Sequence, residues 1–100
     1  MTLAAINISS NQMESFCRKY HIQSLAFFGS VVREDFGPLS DVDVLVVFEP
    51  GHIPGLDFFA IEAELSHLLG HKVDLQTANS LSPEIRRSAL ADAVTVYEQT

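Results

Sequence analysis

The chain has 100 residues, 47% of them hydrophobic, enough for one compact core without disulfides and too few for a two-domain enzyme. Six Lys and Arg against thirteen Asp and Glu give a formal net charge of -7, so no sequence-wide basic field exists to hold a phosphate polymer, and direct nucleic-acid binding is not expected. The single cysteine, Cys17, excludes a disulfide framework and a thiolate metal cluster; Met1 to Asn7 lacks the cationic stretch and apolar length of a leader or membrane span, so a soluble cytoplasmic protein is expected.

Ser9-Ser10 stand before Asn11 to Tyr20, in which Met13, Phe16, Cys17 and Tyr20 recur at helical spacing. Arg18 and Lys19 fall in the last turn, where cations suit the helix dipole, so a first helix is expected. Ser24 to Phe28 is a short aromatic-rich strand cut off by Gly29, after which Ser30 opens a helical turn; Asp35 to Ser40, through Gly37-Pro38, is irregular. Val42 to Phe48 is nearly all β-branched or aromatic, which suits a strand buried on both faces in mid-sheet. Glu49 to Gly55 is a loop by its Pro and Gly content. Asp57 is the expected cap of a second helix to Leu69, with Phe58, Ile61, Leu65, Leu68 and Leu69 as its apolar stripe and Gly70 as its stop. Val73 to Gln76 is a further strand. Ser82-Pro83-Glu84 supplies a cap, a first-turn proline and an acid for a helix to about Leu90, and Val94 to Tyr97 closes the chain as a strand. This alternation defines a single domain of the α/β (α+β) class.

The chemistry concentrates in Gly29-Ser30, ten residues, then Asp41-Val42-Asp43. Strand alternation sends Asp41 and Asp43 to one face with Cα atoms roughly 6.6 Å apart. At an effective dielectric of about 20, two charges ~5 Å apart repel by roughly 3 kcal/mol, a burden that a bound cation reverses. With hard oxygen ligands and no Cys or well-placed His nearby, that ion is expected to be Mg²⁺, with Mn²⁺ as a substitute, rather than Zn²⁺. Asp74 stands between Val73 and Leu75, where an acid makes little sense as packing. If its strand pairs beside the one carrying Asp41 and Asp43, three carboxylates can hold two ions about 3.5–4 Å apart and clamp both oxygens of an in-line phosphoryl displacement, with Asp74 drawing off the attacking proton. Gly29 lets a phosphate approach the backbone, while amides at the following helix start and the Ser30 hydroxyl donate to it. A lone Gly-Ser is ordinarily a turn and a lone Asp-x-Asp a solvated strand end; the four positions at this spacing arise by chance in about one such chain in a thousand.

Phe27-Phe28-Gly29-Ser30 through Ser40-Asp41-Val42-Asp43-Val44-Leu45-Val46 resembles the signature of the minimal nucleotidyltransferases of the DNA polymerase β-type superfamily. The likeness continues through Leu65 to Gly70, His71-Lys72-Val73-Asp74-Leu75, and Ser82 to Tyr97, covering most of residues 24–97. It implies a nucleotidyltransferase fold, a mixed sheet of three to four strands flanked by helices. It also implies Mg²⁺-dependent transfer of a nucleoside monophosphate from an NTP to a hydroxyl, with release of pyrophosphate. Many short members resemble antitoxins that move AMP from ATP to a tyrosine of a partner HEPN ribonuclease toxin, so a hetero-oligomer with such a toxin is expected. The resemblance assigns Gly29, Ser30 and Arg33 to nucleotide binding, and Asp41, Asp43 and Asp74 to metal binding and catalysis. Members often carry an arginine directly after Gly-Ser and a glycine a few residues later; here Val31 and Glu34 hold those places. Two other readings stand beside this one: a binding module of the same fold that neutralises its partner by covering it, and a small-molecule nucleotidyltransferase.

Other candidates carry less. Arg86 and Arg87 read as a solvated helix face, and His67 and His71 are four apart but separated by the helix-ending Gly70. His21 and His52 read as surface residues, and Cys17 as a small core residue.

Overall fold

A computed structural model describes residues 2–3, 6–7, 9–29 and 41–99. A short antiparallel pair, β1 (Thr2–Leu3) and β2 (Ile6–Asn7), opens the chain, which the apolar run from Leu3 to Ile6 did not announce. Helix α1 (Ser10–Lys19) starts at Ser9, whose hydroxyl accepts from the Gln12 amide, and buries Met13, Phe16 and Cys17 as the spacing predicts. Strand β3 (Ile22–Phe28) begins two residues earlier than Ser24, because Ile22 is fully buried and pairs with Phe48. Strand β4 (Val42–Phe48), helix α2 (Asp57–Leu69), strand β5 (Val73–Gln76), helix α3 (Pro83–Asp92) and strand β6 (Val94–Glu98) follow. A 3-10 turn at Ala78–Ser80 links β5 to α3.

Among the described residues the main sheet runs β5-β4-β3-β6, mixed in sense: β4 pairs antiparallel with β3 and parallel with β5 across the α2 crossover, and β6 pairs antiparallel with β3. The mid-sheet place expected of β4 follows from its composition: Val42, Val44 and Val46 face one side and Leu45 the other, and all four are buried. The first side is the main core, where α1 and α2 bring Met13, Phe16, Cys17, Ile61, Leu65 and Leu69 against Leu25, Phe27, Val73 and Leu75. The second side is thinner, with Phe28 and Leu45 under Ala89 of α3. The paired aspartates lie on this thinner side.

Two sequence expectations are corrected at α2 and α3. Asp57 is the first helical residue, not the cap; the cap position is Leu56 in helical conformation, and Asp57 acts as a first-turn acid facing the positive helix end. Helix α3 runs to Asp92, two residues past Leu90, before Ala93 turns extended into β6. Gly70 does end α2, at φ 71°. The amides of Val73 and Leu75 on edge strand β5 are met by Ser66 Oγ (2.9 Å) and Glu62 Oε2 (2.8 Å), so α2 covers the outer edge of the sheet.

Helices α1 and α2 are also tied by a polar clasp: Glu64 Oε1 accepts from Tyr20 Oη at 2.6 Å and from Lys19 Nζ at 3.0 Å. The Tyr20 hydroxyl first, and Lys19 second, hold the Glu64 carboxyl below the usual carboxylate range. A depressed folded-state pKa adds stability that is present above the ordinary Glu value and lost as pH falls through the folded one. Because Glu64 is 39% exposed, the effect is small. Tyr20→Phe, which keeps the edge-to-face contact with Phe16, is therefore expected to cost roughly 0.5 kcal/mol at neutral pH and to flatten the fall in stability below about pH 4.5. Thermal melts from pH 6 to pH 3 test this; a variant profile parallel to the parent would contradict it.

Candidate active site

Strand β3 ends, and β4 and β5 begin, at one end of the sheet. There Phe28 pairs with Asp43, and Asp43 pairs with Asp74 in the parallel ladder. Register partners on neighbouring strands share a face. The condition set by the sequence, that the Asp74 strand lie beside the strand of Asp43, is thus met by the β4–β5 pairing, and both acids are half-buried. Asp41 lies one residue before β4, exposed, where the Val42 amide donates to the Lys72 carbonyl at 2.8 Å and extends the pairing toward β5.

Gly29 follows β3 at φ 73°, a left-handed conformation that glycine adopts without strain. A Cβ placed there would fall onto the Asp43 carboxylate, 3.1 Å from its Cγ, so the absence of a side chain lets backbone and acid lie in contact. Asp74 Oδ1 accepts from Gln76 Nε2 at 2.7 Å, and Asp41 Oδ2 stands 4.0 Å from Lys72 Nζ. The like-charged groups thus each take a local partner. Gln76 and Lys72 escaped the sequence reading, although Gln76 shares the Asp74 face two residues on and Lys72 precedes β5 opposite Asp41. Ser30 and Arg33, together with Val31 and Glu34, lie outside the described residues.

The structure brings Asp43 beside Asp74 but does not gather Asp41, Asp43 and Asp74 into one three-ligand group; carboxylates without cysteine or histidine on β4 or β5 are the donor type of a hard dication such as Mg²⁺ or Mn²⁺. The space that a side chain would take at Gly29 is filled by the Asp43 carboxylate, so the glycine lets that acid lie against the turn. Elsewhere, Arg86 is held structurally, its Nε donating to the Ala78 carbonyl at 2.8 Å. Cys17 is fully buried, with its thiol pushed up to about 12 by desolvation, and fills the core rather than reacting.

Acids on adjacent strands beside a side-chain-free turn have the parts of a phosphoryl- or nucleotidyl-transfer enzyme. The chain belongs to the nucleotidyltransferase domain family, which matches residues 10–96, and it is a nucleotidyltransferase. Protein adenylyltransferase MntA of Thermococcus cleftensis is 39% identical over 79 residues, 78% of this chain and 78% of its own length. MJ1217 of Methanocaldococcus jannaschii, provisionally named a protein adenylyltransferase, is 42% identical over 78 residues, 76% of this chain and 78% of its own. A solved structure, provisionally described as a minimal nucleotidyltransferase, superimposes with a TM-score of 0.70 at 33% identity, covering 85% of this chain and 86% of that one. Two toxin–antitoxin structures share the fold at 18% identity. One contains AMP-PNP, with a TM-score of 0.73 over 93% of this chain and 76% of the other. The second holds a tri-AMPylated Shewanella oneidensis HEPN toxin with its MNT antitoxin, with a TM-score of 0.64 over 90% and 70%. The mixed sheet of three to four strands that the resemblance implied is, among the described residues, four-stranded, and the fold is that of the solved nucleotidyltransferase neighbour. Among the described residues, no helix is long and apolar enough to cross a membrane.

Proposed function

We propose that this protein is a Mg²⁺-dependent protein adenylyltransferase that moves AMP from ATP to a tyrosine hydroxyl of a HEPN ribonuclease toxin, and so acts as the toxin's antitoxin in the cytoplasm. The observation that carries the reading is the register match of Asp43 with Asp74 beside Gly29. The adenylyltransferase names of relatives near 40% identity support AMP as the group moved. The shared fold of a toxin–antitoxin structure containing an AMPylated HEPN toxin supports the partner.

In this reaction the acceptor hydroxyl oxygen bonds to the α-phosphorus of ATP while the bond from that phosphorus to the bridging oxygen breaks, and pyrophosphate leaves with the electron pair. Asp41, Asp43 and Asp74 would hold the divalent ions, which when bound neutralise charge on the triphosphate and on the attacking oxygen. Asp43 is held in mid-sheet between β3 and β5, which would fix the carboxylate that serves the triphosphate's ions. Asp74, its register partner, would accept the hydroxyl proton. The backbone at Gly29, with the Ser30 hydroxyl and Arg33, binds the triphosphate.

The test is label transfer to a co-purified small helical ribonuclease. Label from α-labelled ATP should enter the partner, label from γ-labelled ATP should not, and chelation of divalent ions should stop the transfer. Protection of cells by a chain unable to transfer label would instead favour the covering module, and labelling of an aminoglycoside but no protein would favour a small-molecule enzyme.

A further inference from the structure

At the far end of β4 from the aspartates, three side chains that the sequence separates by up to 31 positions come together. His21 sits in the turn between α1 and β3, Glu49 follows β4, and His52 lies at the start of the loop to α2. One ligand atom from each lies within 4.8 Å of the other two, and among the described residues no other group of three His, Cys, Asp or Glu is so gathered. The grouping is built by the backbone. The Glu49 amide donates to the His21 carbonyl at 2.8 Å, and the His52 amide donates to the Glu49 carbonyl at 3.0 Å. That second bond closes a turn with Pro50 and Gly51, at φ 81°, in its two central positions.

We propose that His21, Glu49 and His52 bind a divalent transition ion of the imidazole-preferring class, for which Zn²⁺ is the probe. The two imidazole rings stack with centroids 4.0 Å apart and 15° between planes, so their nitrogens are already neighbours. His21 Nδ1 stands 3.9 Å from Glu49 Oε2, too far for a hydrogen bond. Zn²⁺ bound at 2.0–2.1 Å needs ligand atoms about 3.3 Å apart, and the stacked rings must turn out of their stack to aim their in-plane lone pairs at one ion. Both His21 and His52 are exposed, which leaves that motion open. His21 also holds φ 55°, an uncommon conformation for a residue with a side chain, and its ring lies against His52 of the loop. Two imidazoles and one carboxylate suit Zn²⁺, Ni²⁺ or Cu²⁺ and are a poor set for Mg²⁺. The fourth position is left to water. Glu49 is six residues beyond Asp43, about 20 Å at ~3.3 Å per residue, so this site does not share ions with the aspartates. A bound ion ties the α1–β3 turn to the loop entering α2.

The test is calorimetric titration of the intact chain with Zn²⁺ in excess Mg²⁺, which occupies the aspartates. One Zn²⁺ per chain is expected. His52→Asn and His21→Asn should each weaken binding about tenfold or more, while His67→Asn should leave it unchanged. Asparagine tolerates the left-handed conformation at position 21, and circular dichroism verifies that both variants fold. In NMR spectra the imidazole signals of His21 and His52 should shift on Zn²⁺ addition while those of His67 and His71 stay. Unsaturable uptake, a stoichiometry of one ion per two chains, or unchanged binding in both variants would overturn the site. None of these readouts depends on adenylyl transfer.

Discussion

Asp43→Asn is expected to lower AMP transfer by about a thousandfold while leaving the melting temperature unchanged or higher. The two effects have opposite signs for one physical reason. In the resting fold the Asp43 carboxylate faces Asp74 directly across the β4–β5 ladder, and like charges so placed cost about 0.2–1 kcal/mol. Asparagine has nearly the same shape, so it fits between Phe28 and Asp74 and removes the repulsion. In the proposed reaction the same charge would help to hold the ions that neutralise the triphosphate. Losing about 4 kcal/mol of that stabilisation corresponds to a thousandfold in rate. Label transfer and thermal melts on one preparation test the pair of effects together. Asp41→Asn should also reduce transfer. Transfer within tenfold of the parent in the Asp43 variant would remove the aspartate pair from the mechanism.

Gly29→Ala should cost both stability and activity. Alanine at φ 73° carries about 1–2 kcal/mol of backbone strain. Its methyl group would also fall on the Asp43 carboxylate, 3.4 Å from the Asp43 Cβ, forcing the acid or the turn to move. Since a shift of about 1 Å at a reacting centre can cost a hundredfold, transfer should drop by about that factor or more. Gly55→Ala separates the two contributions. Gly55 has φ 61° with nothing within 4 Å of an added Cβ, so this variant carries the strain alone and should keep its activity. Equal activity in the two variants would show that the contact between Gly29 and Asp43 has no part in catalysis.

The periodic elements were legible in the sequence because each has one dominant local cause. Met13, Phe16 and Cys17 recur at helical spacing, the β-branched run from Val42 has a form that only a buried strand accommodates, and Ser82-Pro83 caps a helix by local hydrogen bonding and ring geometry. Where tertiary packing decided, local reasoning drifted. Ile22 joined β3 because Phe48 and the core receive it, and Asp57 lost the cap role because the turn at Pro54 to Leu56 already runs into the helix.

The site divides along the same line. Spacing alone suggested Asp41 and Asp43 as a pair with Gly29 before them, since alternation along a strand and the freedom of glycine are properties of the chain itself; in the structure β4 begins only at Val42, so Asp41 stands exposed just outside it. That Asp74 lies opposite Asp43 depends on which strand pairs with which and in what register, and the α2 crossover and the burial of Val73 and Leu75 settle that. His21, Glu49 and His52 illustrate the other extreme. In the sequence His21 and His52 read as surface residues and Glu49 as the start of a loop, and only the antiparallel β3–β4 pairing, which returns the chain to its starting end, makes them neighbours. Short-range geometry is written in consecutive residues, whereas contact between distant ones exists only after the sheet has closed.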